Sequence, residues 1–75
     1  MLDHWAKIIE AILLTAGEPV SIARLQQLFE EEQPLSSQEL ERILQEIAND
    51  YQNRGVELVE VASGYRFQAK NEYAP

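Results

Sequence analysis

Gly55-Val56-Glu57-Leu58-Val59-Glu60-Val61-Ala62-Ser63-Gly64-Tyr65-Arg66-Phe67-Gln68-Ala69 is the stretch that decides the fold. Before Gly55 the apolar residues recur at helical spacing. Beyond it the period moves from 3.6 toward 2, so Val56 to Val61 and Tyr65 to Ala69 read as two short strands. Ala62-Ser63-Gly64 between them reads as a three-residue loop, a type I turn followed by a bulge with glycine in the left-handed region. That register sets Val61 opposite Tyr65, Glu60 opposite Arg66 and Val59 opposite Phe67. One face is then apolar, the other carries a cross-strand ion pair, and Leu58 points outward. A two-residue loop, taken to oppose Val61 to Arg66 and Glu60 to Phe67, is rejected.

Upstream lies the strongest helix start in the chain. Ser36 with Glu39 makes a capping box, and Leu35 with Leu40 the accompanying hydrophobic staple. The buried stripe of this helix runs Leu40, Ile43, Leu44, Ile47, Ala48, Tyr51, and Gly55 is read as its stop. Its opposite face presents Arg42, Gln45 and Asn49 among acids. Before it, Ser21 caps a second helix with Val20 and Leu25 as staple and Ile22, Leu25, Leu28, Phe29 as the inward stripe. Glu30-Glu31-Glu32 and Gln33-Pro34 end that helix, and acids at a helix C-terminus oppose the macrodipole, so fraying is expected there. The first helix carries Trp5, Ile8, Ile9, Ile12, Leu13 and Ala16 on one face, with Asp3 as cap and Gly17 as left-handed stop. Leu14 lies on the opposite side, facing either a second packing layer or a contact surface.

Helix, short extended link, helix, helix and hairpin is the order of an α+β, mainly α, winged helix-turn-helix: three helices plus a β-hairpin wing. Val20 is placed to lend the hairpin a third, very short strand. No helix here is long enough to be stable alone, so the stripes must share one core, with Trp5, Phe29, Tyr51 and Phe67 as its large side chains. The link from Glu30 to Leu35 is longer than a tight helix-turn-helix turn. Residues 1–70 are read as one winged-helix domain and 71–75 as the start of a linker to a second domain absent from this chain.

Function classes fall away quickly. At 75 residues a single apolar core is only marginally sufficient, and a buried enzyme site is hard to build. There is no cysteine, which rules out disulfides and thiolate metal sites and fits a reducing cytoplasm. The apolar run Ile8 to Leu14 is too short to span a bilayer and is interrupted by Glu10. His4 has no nucleophile at a meaningful spacing, and Glu30-Glu31-Glu32 lacks the ligand pattern of a calcium loop. No catalytic residue, metal site or cofactor is expected.

The scaffold suits DNA, but the charge does not. The formal net charge is −7, and Ser36 to Arg54 holds Glu39, Glu41, Glu46 and Asp50 against Arg42 and Arg54. DNA affinity rests on neutralising phosphates, so that term is missing. A polypeptide partner is expected instead, with Trp5, Leu14 and Leu58 as candidate partner-binding residues in one apolar patch. The alternative is that Trp5 completes the core and the others are scattered surface apolars. A DNA-binding transcriptional regulator is the competing function, to be exposed by a positive stripe of Arg24, Arg42, Arg54, Arg66 and the two lysines.

Three stretches resemble the segregation and condensation protein B family. They are Ile8-Ile9-Glu10-Ala11-Ile12-Leu13-Leu14 followed by Ala16-Gly17-Glu18-Pro19-Val20-Ser21, Arg54 to Ala62 followed by Gly64-Tyr65-Arg66-Phe67, and Glu72-Tyr73-Ala74-Pro75. The resemblance implies two tandem winged-helix domains, with homodimerisation largely through the N-terminal one. It implies binding to the kleisin subunit, segregation and condensation protein A, and through it to the SMC protein. The implied role is that of a non-catalytic accessory subunit in chromosome condensation and segregation. Its place is the cytoplasm, beside the nucleoid, with no membrane and no direct nucleic-acid contact.

Overall fold

The structure is a computed structural model that describes residues 2–29 and 35–73. The acidic run Glu30 to Glu32 with Gln33-Pro34 lies outside the described residues, and so does its expected fraying. Among the described residues the order is α1 (Leu2–Thr15), α2 (Ile22–Leu28), α3 (Ser37–Asp50), β1 (Val56–Val61), β2 (Gly64–Ala69) and a closing 3-10 turn, Asn71–Tyr73. This is the winged-helix order.

Local chemistry places the helices as expected. Ser36 Oγ accepts from the Glu39 N–H at 3.1 Å, and Glu39 Oε1 accepts from the Ser36 N–H at 3.0 Å, so both free donors at the start of α3 are satisfied. Leu35 and Leu40 are both buried beneath that cap. At α2, Ser21 Oγ accepts from the Arg24 N–H at 3.1 Å. Gly17 ends α1 with φ +76°, a conformation that side-chain-bearing residues resist. Asp3 falls inside α1 rather than before it, since the helix begins at Leu2. Ile9, Leu13, Leu25, Phe29, Leu40, Ile43, Leu44, Ile47 and Tyr51 then meet in one core. Trp5 meets Phe29 edge-on at 4.8 Å between centroids, and Tyr51 meets Phe67 at 4.7 Å.

Four further expectations are corrected. Leu28 is 46 % exposed rather than inward. At about 100° per residue it sits roughly 90° from the centre of the Ile22, Leu25, Phe29 arc, beyond what a short helix can bury. Ala16 is exposed, because α1 has already ended at Thr15. Gly55 is not the stop of α3. The helix closes on Tyr51, whose N–H turns back to the Ala48 carbonyl while the Gln52 N–H turns back to that of Asn49, and positive φ occurs only at Gly17 and Gly64 among the described residues. Tyr51 is held there by tertiary contacts, its ring lying on Phe67 and its hydroxyl donating to Glu10, and locally by Arg54 over its ring at 4.7 Å.

The fourth correction is the hairpin register. Val61 pairs with Gly64, Glu60 with Tyr65, Val59 with Arg66 and Leu58 with Phe67. The loop is therefore the two-residue Ala62-Ser63, and its pairs are not those ascribed to it above. Val20 decides the matter. It bridges Tyr65 through two backbone hydrogen bonds, Val20 N–H to Tyr65 O and Tyr65 N–H to Val20 O, each 2.9 Å. With both its backbone groups aimed at Val20, Tyr65 must occupy a non-hydrogen-bonded pair with β1, which draws Gly64 into the strand. Residues directly opposite share a face, so Leu58 turns inward with Tyr65 and Phe67, and all three pack against the core. Val59 and Val61 take the outer face with Arg66 and Gln68. The expected Glu60–Arg66 ion pair is absent from this register; the Arg66 guanidinium instead donates to Gln68 Oε1 at 3.3 Å.

Candidate interaction surface

Trp5, Leu14 and Leu58 do not form one patch. Trp5 is half-buried, its ring wedged against Phe29 between α1 and α2. Leu14 is 52 % exposed and nine residues further along the same helix, half a turn out of phase with Trp5. Leu58 lies on the core side of the hairpin, opposite Phe67, which corrects its placement as an outward residue.

The surface instead organises around the α1–α2 link. One open groove of about 500 Å3 runs between the end of α1 and α2, lined by Ile12, Thr15, Pro19, Arg24 and Leu28. A second of about 490 Å3 lies across the link, lined by Leu14, Gly17, Pro19, Arg66 and Gln68. Glu18 lines both. Leu28 is the residue that the sequence reading missed. Its signal was angular, since it departs from the α2 stripe by a quarter turn, but an apolar residue beside a stripe is easily absorbed into it.

α3 exposes Glu39, Glu41, Glu46 and Asp50, with Arg42 as the cation among them, and Glu46 and Asp50 lie on the flank toward α1. Other cations are engaged locally. Arg54 stacks on Tyr51, Lys70 donates to the Gln52 carbonyl, and Lys7 lines a crevice with Glu10, Glu46 and Asp50. The tyrosines at the helix–wing junctions feel this acidity. The hydrogen bond to Glu10, with burial behind it, holds the Tyr51 hydroxyl above the usual phenol range. Burial raises Tyr65, and the carboxylates of Glu60 and Glu41 add to it. Among the described residues no three His, Asp or Glu side chains converge to hold a metal ion, and no helix is long and apolar enough to cross a membrane.

Comparison with known proteins bears on this arrangement. Residues 7–75 match the family described as Segregation and condensation complex subunit ScpB. The Segregation and condensation protein B homolog of Coxiella burnetii is 52 % identical over 68 residues, covering 91 % of this chain and 32 % of that protein. Segregation and condensation protein B of Bacillus subtilis is 36 % identical over 75 residues, covering 96 % and 36 %. The chain thus spans about a third of the length of the curated relatives it matches. A crystal structure described as a dimer of the ScpB N-terminal domain complexed with a ScpA peptide superposes with a TM-score of 0.84 at 28 % identity, covering 99 % of this chain and 84 % of that one.

Proposed function

The chain belongs to the ScpB family of segregation and condensation complex subunits, and on that premise we propose that it is the homodimerising N-terminal winged-helix part of a non-catalytic accessory subunit. Its complex is the bacterial SMC–kleisin assembly that condenses and segregates chromosomes. The observation that carries this reading is the superposition along nearly the whole chain on a domain crystallised as a dimer with a ScpA peptide. Residues 1–70 are the domain and 71–75 open the linker toward a second one, in keeping with the much greater length of the relatives. The partners are a second copy, the kleisin ScpA, and the SMC protein through the kleisin, all in the cytoplasm beside the nucleoid.

An acid-bearing α3 suits this role: the element that would enter a DNA groove in other winged helices here repels phosphate. Leu14, on the rim of the groove that holds Arg66 and Pro19, is the exposed apolar side chain best placed to meet a kleisin segment. Solution mass over a concentration series, followed by titration with the ScpA segment, tests the reading. A dimer at micromolar concentrations that takes up the segment is the expected result. A monomer throughout, together with duplex DNA binding that weakens as salt rises, would support a DNA-binding regulator instead.

A further inference from the structure

We propose that two copies meet through the uncharged side of α1, formed by Ile8, Ala11, Ile12 and Thr15 and extended by Leu28 of α2. The proposal rests on the dimer reading above and deepens it by assigning the face. At about 100° per residue, His4, Ile8, Ala11, Ile12 and Thr15 fall on one flank of α1, whereas Lys7 and Glu10 fall on the other with Leu14. Ala11 and Thr15 are exposed, and Ile8 and Ile12 are only partly covered by the core. The Thr15 hydroxyl donates back to the Ala11 carbonyl at 2.8 Å, so it offers this flank no free donor. Leu28, 46 % exposed, lines the adjoining groove with Ile12 and Thr15 and carries apolar surface onto α2, with Glu18 and Arg24 lining the same groove.

Charge selects the occupant. Each copy carries a formal −7, so any second copy is repelled as a whole, and repulsion between exposed carboxylates acts within about 8 Å at physiological salt. α3 exposes four carboxylates, and β1 adds the exposed Glu60 and the half-buried Glu57. The flank of α1 itself carries no carboxylate, and the one acid lining the adjoining groove, Glu18, is accompanied there by Arg24, so like-charged copies can close on this face with little uncompensated charge. A two-fold axis then sets the same face against itself, as closed dimers require. A cationic partner would find only Glu18 there, with Arg24 lining the same groove. Ala11, as the smallest side chain of the flank, lets the two helices approach closely.

The test is the mass of the chain across a concentration series for the unaltered protein, Ala11→Glu, Leu28→Glu and Gln45→Glu, with circular dichroism on each. Both interface sites are exposed and glutamate is a good helix former, so the fold survives. Gln45 is exposed on the wing side of α3 and serves to add the same charge away from α1. The expected result is a dimer dissociation constant raised about tenfold or more by Ala11→Glu and by Leu28→Glu, because each sets an added carboxylate on both sides of a two-fold seam, and left unchanged by Gln45→Glu. Unaltered dimerisation in Ala11→Glu and Leu28→Glu overturns the assigned face while leaving the dimer reading intact. Equal weakening by Gln45→Glu overturns it too, since net charge alone would then account for the loss. A monomeric unaltered chain removes the dimer itself, and the proposed function with it.

Discussion

Replacing Gly64 with alanine tests the claim that the Val20 backbone, rather than the turn, dictates where the wing sits. A Cβ on Gly64 would lie 2.4 Å from the Val20 carbonyl carbon, 2.5 Å from its oxygen and 2.6 Å from the Ser21 nitrogen. All three are backbone atoms, so no side chain can swing aside. Gly64 also has φ +142°, which side-chain-bearing residues rarely adopt. Relief requires breaking the two Val20–Tyr65 hydrogen bonds, at about 0.5–1.5 kcal/mol each. Backbone strain adds about 1–3 kcal/mol. The loss is then about 4 kcal/mol, out of a total stability of roughly 4–11 kcal/mol for a domain of this length. At about 4–8 °C per kcal/mol, Tm falls by roughly 15–30 °C.

Two other glycines serve as controls within the same chain. Gly17→Ala meets nothing within 4 Å but keeps a φ of +76°. It should cost only about 1 kcal/mol, since strain is partly offset by a stiffer unfolded chain. Gly55→Ala meets Tyr73 Cδ2 at 3.9 Å, an ordinary contact, and should be neutral within about 0.5 kcal/mol. Thermal unfolding followed by circular dichroism ranks the three. A Gly64→Ala protein melting within a few degrees of Gly17→Ala would refute the assigned backbone clash and, with it, the reason given for the register.

Ser36→Ala removes one half of the α3 capping box and should lower stability by about 1 kcal/mol in urea titration, with the midpoint shifted and the slope kept. Tyr51→Phe leaves Glu10 without its partner and should cost about 1–2 kcal/mol, with the far-ultraviolet spectrum preserved. Alkaline pH should destabilise the protein. The folded state raises both Tyr51 and Tyr65 above their ordinary 10.0, so it holds these protons more tightly than the unfolded chain does. That contribution is complete below about pH 10 and is lost as pH climbs through the raised values. Urea midpoints for Tyr51→Phe and Tyr65→Phe should accordingly fall less steeply with pH in that range than those of the parent.

Much of the site was hidden for a geometric reason. Trp5, Leu14 and Leu58 are each unusual in the sequence, but a patch is a property of distance and direction. A one-residue change in hairpin register turned Leu58 from the outer to the inner face, and nine residues of helix with a half-turn offset keep Leu14 away from Trp5. Leu28 was lost for the opposite reason, because its chemistry matched the stripe and its angle did not. The outward flank of α1 was legible in principle from helical phase, but its significance depends on Leu28 lying beside Ile12, which is a contact between two helices.

What the amino-acid order alone determined was governed by neighbours within a turn of the chain. The Ser21 and Ser36 caps, the left-handed Gly17, the helical phase of Ile9 and Leu13, the switch of period after Gly55 and the acid on α3 all act over a few residues. What folding in three dimensions decided was where α3 stops, which hairpin pairs form and, through them, that Leu58 faces the core. Each of these is set by a partner distant along the chain: Phe67 and Glu10 for Tyr51, and Val20 for Gly64 and Tyr65. Local preferences differ by about a kilocalorie per mole, and a tertiary hydrogen bond or backbone clash of equal or greater size overrides them.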